Sequence, residues 1–508
     1  MLDYTIAQIA SIVGGTISGG ADPNTRVRGP VEFDSRKITE GSVFVALKGA
    51  RVDGLDYARS AHEAGAVVTL AAREVNAPAI IVPHIENPDS NADAYSYDPT
   101  GDAASVIAAM SALARAVVDD CVAAGANVVA ITGSAGKTST KDIIATVLHA
   151  AVAGTAENTG AAGDKTVDPA AVIAPPGSFN NEIGLPYTAL RCTPETRYLV
   201  AEMSARGIGH IHHLTTIAPP TIGVELNVGT AHLGEFGSRE NIAQAKGELV
   251  EALPAGGTAI LNLDDEQVAG MAARTQAQVV YYSAAGNPQA PIRATNVHLD
   301  EVARPRFTLH LPGQQPVPVK LNIFGAHQVS NALAAAAVGH TVGMSAPEIA
   351  RALGDHVAAS AHRMDVSTRA DGVTIINDSY NANPDSMRAG LSALSYTAHG
   401  RPGATSWAVL GQMGELGDME LEAHEALADV MSDLRIDRLV AVGTAASVSA
   451  MAARARSLGV HVKHVSTTDA AVAAVNDELA PGDVVLVKAS MIQHLWSVAE
   501  GLLQEGTG

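Results

Sequence analysis

The stretch that most limits what this chain can fold into runs from residue 127 to residue 141 and reads "NVVAITGSAGKTSTK". "NVVAIT" is a short apolar, β-branched run that reads as a buried strand, and the residues after it set Ile143, Ile144, Val147, Leu148 and Ala151 at helical spacing. Strand, glycine loop and helix make the setting of a phosphate-binding loop. Gly133 and Gly136 let the backbone close on a polyphosphate, Lys137 supplies a point charge, and Thr138 offers a hydroxyl to Mg²⁺. The helix N-terminus adds its partial positive charge. The usual pattern needs glycine where Ile131 stands, so the variant is T-G-x-x-G-K-T, led by Thr132. Thr132, Gly133, Ser134, Ala135, Gly136, Lys137, Thr138 and Ser139 form the candidate nucleotide cradle. The loop by itself leaves the phosphoryl acceptor open among kinase, motor, GTPase and ligase.

A chain of 508 residues is too long for one hydrophobic core. At roughly 150 residues per domain it predicts about three domains. Residues 1–102 alternate short β-like runs ("SVFVAL", "AVVTLA", "AIIVP") with an alanine-rich helical stretch and end in the polar segment "NPDSNADAYSYDPTGDAA", a linker by composition. Residues 103–358 alternate helical patterns with the strands "NVVAIT", "YLVAEM", "TIGVELN" and "GTAILNL", which predicts a mostly parallel sheet covered by helices. The Gly/Pro/Asp-rich insert "NTGAAGDKTVDPAAVIAPPGS" is expected to have no fixed structure of its own. Residues 359–508 repeat the alternation with "VTIINDS", "SWAVLGQM", "RLVAVG" and "DVVLVKA", a second doubly wound domain.

The balance of charges narrows the ligands. A formal net charge of -20 argues against broad nucleic-acid binding, so an anionic ligand must be held locally by backbone amides, a few cations and metal ions. No apolar run reaches the roughly 18 residues of a membrane span, and the N-terminus lacks the basic region of a signal peptide. Cys121 and Cys192 are too few for a disulfide framework and read as inert thiols of a cytoplasmic chain.

Several further stretches converge on one family. "FDSRKITEGSVFVALKGARVDG", "NVGTAHLGEFGS", "AKGELV", "GAHQVSNALAAAAVG" and "HRMDVSTRADGVTIINDSYNANPDSMRAGL" resemble the Mur ligases of peptidoglycan synthesis, whose phosphate loop has the same variant form. "NDSYNANPDSM" and "VLGQMGELG" are most similar to the branch that joins D-alanyl-D-alanine to UDP-MurNAc-tripeptide. The resemblance implies a small N-terminal α/β uridine-binding domain, a central P-loop ATPase-like domain with a mostly parallel sheet, and a C-terminal Rossmann-like domain. It also implies ATP, two Mg²⁺ ions, and amide formation through an acyl phosphate and a tetrahedral intermediate.

The same resemblance implies roles residue by residue. Lys137, Lys246 and His232 would be catalytic, and Thr138, Glu202, His232 and Lys246 the metal set, with Lys246 carbamylated so that an anionic oxygen ligand replaces a cation. Without the family, Lys246 reads as a surface ion pair on a helix. Asn331 would contact adenine, Arg363 the phosphates and Asp378 the ribose. Ser35, Arg36, Gly49, Asp53 and Gly54 match the uridine pattern, Asn180 and Asn181 the loop that approaches the UDP-muramyl group, and Tyr380 and Asn381 fall in the substrate segment. Arg363 and Asp378 lie far along the chain from Lys137, so two domains must close to build one site.

Two departures from the family pattern stand out. The insert before "FNNEIGLP" is long, and Lys488, Ala489, Ser490, Met491 replace the usual Lys-Gly-Ser-basic turn, which leaves Lys488 either a ligand of the dipeptide carboxylate or a helix-start lysine. His210, His212 and His213 in "GHIHHL" have no second ligand cluster and carry no metal expectation. Two alternatives stay open: a sister ligase that adds the third amino acid, and a nucleotide-switched protein that holds a UDP-sugar without ligating it. A monomer is expected.

Overall fold

Runs rich in Val, Ile and Ala become inner strands here because helices cover both faces of each sheet and leave no side for polar residues. The computed structural model describes residues 3–49, 52–86, 95, 98, 100–158, 168–229 and 233–504. Among them are three sheets, one after another along the chain.

The first sheet has the order Thr16–Ser18, Ala79–Ile81, Ala66–Ala71, Ser42–Val45, Val31–Glu32. Its first strand is antiparallel to its neighbour and the others are parallel. The second runs Val317–Lys320, Pro305–His310, Ile292–Leu299, Gln278–Ser283, Thr258–Asn262, Ile222–Glu225, Asn127–Thr132, Tyr198–Glu202, Val172–Ile173. Its strands are parallel from Ile292–Leu299 to Val172–Ile173, and the two at the other edge are antiparallel. The third runs Asp365–Thr368, Thr374–Asn377, Val484–Lys488, Ser406–Leu410, Arg438–Val442, His461–Val465, with only the first pairing antiparallel. The expected small α/β unit, mostly parallel central sheet and second doubly wound unit are all present.

Two local expectations need correction. Part of the insert expected to lack structure has one: Asp168 caps the turn Pro169–Ala171, and Val172–Ile173 then adds an edge strand beside Tyr198–Glu202. Two adjacent β-branched residues behind a proline turn suffice for this, because both are buried against the sheet. The antiparallel edge from Ile292 to Lys320 was not expected either. "IRATNVHL" is exposed along its second half, so it lacks the apolar run that marks an inner strand.

Helix Asp102–Ala123 connects the first two sheets. The Asp98 carboxylate accepts the backbone N–H groups of Asp102, Ala103 and Ala104 at 3.2, 2.7 and 3.1 Å, satisfying donors that a helix start leaves orphaned. Val106, Met110, Leu113 and Val117 are buried in one core that also takes Ile6, Ile9 and Leu70 from the first unit and Leu199, Leu249 and Leu261 from the second. The opposite face of the central sheet and the two faces of the third sheet have their own cores.

Candidate active site

The register of the central sheet brings three strand ends together. Ile131 pairs with Glu202 and Thr132 with Glu225, so the phosphate loop starts at the same sheet edge as two glutamates. Behind it, Ile143, Ile144, Val147 and Leu148 bury the inner face of helix Lys137–Asn158. Each such side chain contributes roughly 1.5–3 kcal/mol on burial, enough to fix a glycine loop that has little stability of its own.

The loop itself is tightly built. Gly136 has φ +84°, and a β-carbon there would meet Asn331 Oδ1 at 2.8 Å, so both conformation and space require glycine. Asn227, which the sequence reading passed over, pairs with the loop like a short strand. Its carbonyl accepts from Ser134 N–H at 3.0 Å, its Oδ1 accepts from Ala135 N–H at 2.9 Å, and its Nδ2 donates to Ala135 O at 3.1 Å. The amides of Ser134 and Ala135 are thereby engaged within the protein. Lys137 donates to the Gly133 carbonyl at 2.6 Å, and burial lowers its pKa against the opposing pull of Glu202.

Glu202 ends the strand Tyr198–Glu202 and is 1% exposed. Thr138 Oγ1 lies 3.1 and 3.0 Å from its two carboxylate oxygens, Asn180 Nδ2 donates to it at 2.7 Å, and Ser178 Oγ sits 2.6 Å from Thr138 Oγ1. The carboxylate and hydroxyl oxygens of this cluster suit a hard divalent cation such as Mg²⁺. Arg363, from the third unit, donates to the same Ser178 Oγ at 2.7 Å and lies 4.2 Å over the Tyr380 ring.

Together these residues line a cleft of about 690 Å³. Ser134–Ser139, Asn180, Asn181, Glu202 and Asn331 line it from the central unit, and Arg363, Asp378, Tyr380 and Asn381 from the third. The sequence-predicted nucleotide residues from Ser134 onward thus meet in one place. Thr132 lies just beneath, buried, with no hydrogen-bond partner for its Oγ1 among the described residues. Asn331 is 6% exposed and hydrogen-bonded to Gln328, not the helix-surface residue its position alone suggests.

Lys246 is the clearest departure from its bland reading. It is 4% exposed, not a surface lysine, and burial together with the charge of Lys137 brings its pKa down to about 7. Glu225, which exerts the opposing pull on it, is fully buried, with neither carboxylate oxygen hydrogen-bonded among the described residues and its pKa pushed well up by burial. A neutral amine in such surroundings fits carbamylation. Lys246 is not among the residues lining the cleft, and His232 lies outside the described residues.

Lys488 turns out to be neither a helix-start lysine nor an open anion ligand. It ends strand Val484–Lys488, is 1% exposed, and donates to Asp378 Oδ2 at 2.6 Å and to the Asn381 carbonyl at 2.8 Å. Asp378 Oδ1 in turn accepts from Met364 N–H at 3.2 Å.

The uridine candidates sit away from this cleft, in the first unit. Asp34 accepts from Arg36 at 2.8 and 2.9 Å on an exposed turn that contains Ser35. Asp53 caps Gly54–Tyr57, Gly49 N–H donates to Val52 O, and a β-carbon on Gly54 would meet Leu47 O at 2.5 Å. A cluster of Phe33, Phe179 and Tyr187 joins this region to the Asn180 loop, with ring centroids 4.9 to 6.4 Å apart.

Comparison with known proteins is consistent along the chain. Residues 30–118 match the Mur ligase family catalytic domain, residues 131–339 the Mur ligase middle domain, and residues 362–491 the Mur ligase glutamate ligase domain. The chain is 49% identical to the UDP-N-acetylmuramoyl-tripeptide--D-alanyl-D-alanine ligase of Mycobacterium tuberculosis, over 100% of its own length and 99% of the relative's. It is 30% identical to the enzyme of that name from Escherichia coli, over 100% of both. Among solved structures, MurF from Acinetobacter baumannii superposes with a TM-score of 0.80 at 26% identity, covering 99% of each chain. MurF ligase from Thermotoga maritima in complex with ADP superposes at 0.72 and 26% identity, over 94% of this chain and 98% of that one.

Proposed function

The chain belongs to the Mur ligase family, and on that footing we propose how its cleft makes an amide bond. It is an ATP-dependent ligase that joins D-alanyl-D-alanine to UDP-MurNAc-tripeptide, with release of ADP and phosphate. The chemical obstacle is that a carboxylate is a poor electrophile at neutral pH. In the first step a tripeptide carboxylate oxygen attacks the γ-phosphorus of ATP, the bond to ADP breaks, and an acyl phosphate forms. An amine then attacks the acyl carbon, and the tetrahedral intermediate expels phosphate.

Negative charge gathers among phosphate and carboxylate oxygens in both steps, so fixed cations aimed at those oxygens lower the barrier. Lys137 and Arg363 take that role, Gly133 to Ser139 cradle the polyphosphate, Asn331 meets the adenine and Asp378 the ribose. Thr138 and Glu202 would hold Mg²⁺, with His232 and a carbamylated Lys246 completing the ligands, and the metal would supply positive charge to the phosphoryl oxygens. Residues 1–102 carry the uridine site through Ser35, Arg36, Gly49, Asp53 and Gly54. Asn180 and Asn181 approach the muramyl group, and Tyr380 and Asn381 face the substrates from the C-terminal unit, residues 359–508. The chain acts as a cytoplasmic monomer.

One observation carries this assignment. A single hydroxyl, Ser178 Oγ, joins Arg363 of the third unit to Thr138 of the phosphate loop, whose hydroxyl in turn contacts Glu202. The test is phosphate release from ATP and Mg²⁺. Release that depends on UDP-MurNAc-tripeptide together with D-alanyl-D-alanine, with a pentapeptide product by mass, is expected. Release only with the dipeptide precursor and free meso-diaminopimelate would move the chain to the sister step.

A further inference from the structure

Glu182 and His210 line the same cleft and have no part in the account above. Glu182 follows Asn180 and Asn181 directly, and His210 opens helix His210–Ile217. Their side chains are 7% and 13% exposed, and Glu182 Oε1 lies 3.7 Å from His210 Nδ1, beyond hydrogen-bond reach. The helix start is held firmly, because Glu248 accepts from Gly209 N–H at 2.6 Å and from His212 N–H at 2.9 Å. Burying a carboxylate is unfavourable unless a cation or several donors meet it. This one faces a cavity with a nearby imidazole.

The ligase reading leaves one task unassigned. The amine of an incoming dipeptide has a pKa of about 8 and arrives mostly as an ammonium, which has no lone pair to attack with. Other carboxylates on the wall are already engaged: Glu202 by Thr138 and Asn180, Asp378 by Lys488 and the Met364 amide. Glu182 sits two residues beyond Asn180, which donates to Glu202, and lines the same cleft. At the cleft wall that also holds Glu182 and His210, Arg206 forms an ion pair with Glu415 of the third unit, so this is where the C-terminal unit meets the central one.

Resting on that ligase reading, we infer that Glu182 and His210 receive the dipeptide amine: Glu182 draws the ammonium into the cleft, and His210 takes the proton that must leave before nitrogen attacks. The remaining steps balance. The amine lone pair forms the C–N bond, the C–O bond to phosphate breaks with its electron pair, and the second nitrogen proton leaves with the phosphate. The imidazolium then returns its proton to solvent. The groups that set the charge around the pair are Tyr95, His212 and His213 on the same helix, Glu248 and Arg206. Tyr95, its phenol pushed up to about 12 by burial and by the Glu182 charge, stays neutral throughout.

The test uses the full chain with His210→Gln and Glu182→Gln and reads the two half-reactions separately. Acyl phosphate formed from ATP and tripeptide is trapped with hydroxylamine, and its yield also reports that each variant folds. His210→Gln is expected to keep hydroxamate formation within about twofold and to slow ligation about 100-fold at pH 7, the usual scale for a lost proton acceptor. The deficit should shrink towards pH 9, where the amine is already neutral. Glu182→Gln is expected to raise the KM for D-alanyl-D-alanine about tenfold and leave that for the tripeptide unchanged. Ligation by His210→Gln at the wild-type rate and pH profile overturns the inference. So does a Glu182→Gln penalty that falls on the tripeptide, which would assign the carboxylate to an amine on the acceptor. Wild-type protein that gives no tripeptide-dependent hydroxamate would instead sink the ligase reading itself.

Discussion

Lys488 holds its ammonium 2.6 Å from the Asp378 carboxylate, and the same nitrogen lies 3.3 Å from the Asp378 carbonyl and 2.8 Å from that of Asn381. One buried lysine at the end of an inner strand therefore fixes the turn that presents Asp378, Tyr380 and Asn381 to the cleft.

Removing one partner of a buried ion pair leaves the other charge uncompensated, which destabilises by about 3–5 kcal/mol. Lys488→Met is expected to lose stability on that scale, read as a lower midpoint of urea unfolding. Lys488→Met combined with Asp378→Asn should recover part of the loss. A single variant as stable as wild type would contradict the pairing.

Gly136→Ala meets two obstacles at once. A side chain at φ +84° is strained by about 1–2 kcal/mol, and the added methyl would press on Asn331 Oδ1 at 2.8 Å. Either the loop opens or the helix carrying Asn331 moves. ADP binding measured by calorimetry should weaken at least about tenfold, equivalent to 1.4 kcal/mol.

The Lys246 amine, brought down to about 7, would give the proposed carbamylation a definite pH dependence. Only the neutral amine adds CO₂, and the neutral fraction falls as pH drops through 7. Enzyme stripped of CO₂ is expected to regain activity on adding bicarbonate, readily at pH 8 and poorly at pH 6. Lys246→Ala should be inactive at both. Activity of Lys246→Ala near that of wild type would remove the carbamate from the mechanism.

His356 and His424 are 4% and 0% exposed, and burial lowers the pKa of each. His424 Nε2 accepts the Met413 N–H at 2.9 Å, an arrangement that needs the neutral ring. A folded pKa below the unfolded value of about 6.5 means that the unfolded chain binds more protons just below that pH. Stability from these rings is therefore complete above pH 6.5 and lost as pH falls through the folded values. Thermal unfolding from pH 8 to pH 5 should show the loss, and His424→Gln should show less of it.

The sequence made the strands and the phosphate loop legible for the same reason: both depend on local pattern. "NVVAIT", "YLVAEM" and "DVVLVKA" are continuous apolar runs, and each is an inner strand. What escaped depends on neighbours far along the chain. Asn227 clamps a loop more than ninety residues away, and no spacing rule links the two. In the sequence His210, His212 and His213 form a cluster with no metal expectation, yet His210 lines the cleft while Glu248, far along the chain, fixes its helix start. Without the family resemblance Lys246 reads as a surface ion pair, because helix periodicity does not reveal which face a second sheet strand covers. Lys488 was ambiguous because its partners, Asp378 and Asn381, become adjacent only when Val484–Lys488 pairs with Thr374–Asn377.

The core that helix Asp102–Ala123 draws from both the first and the second sheet has a thermodynamic meaning. A hydrophobic cluster shared by two units cannot be opened on one side without exposing the other, so the two melt together. The third unit, with cores of its own on both faces of its sheet, is under no such obligation. Scanning calorimetry would then resolve two cooperative transitions instead of three. A nucleotide that bridges Lys137 and Arg363 would draw them towards a single peak.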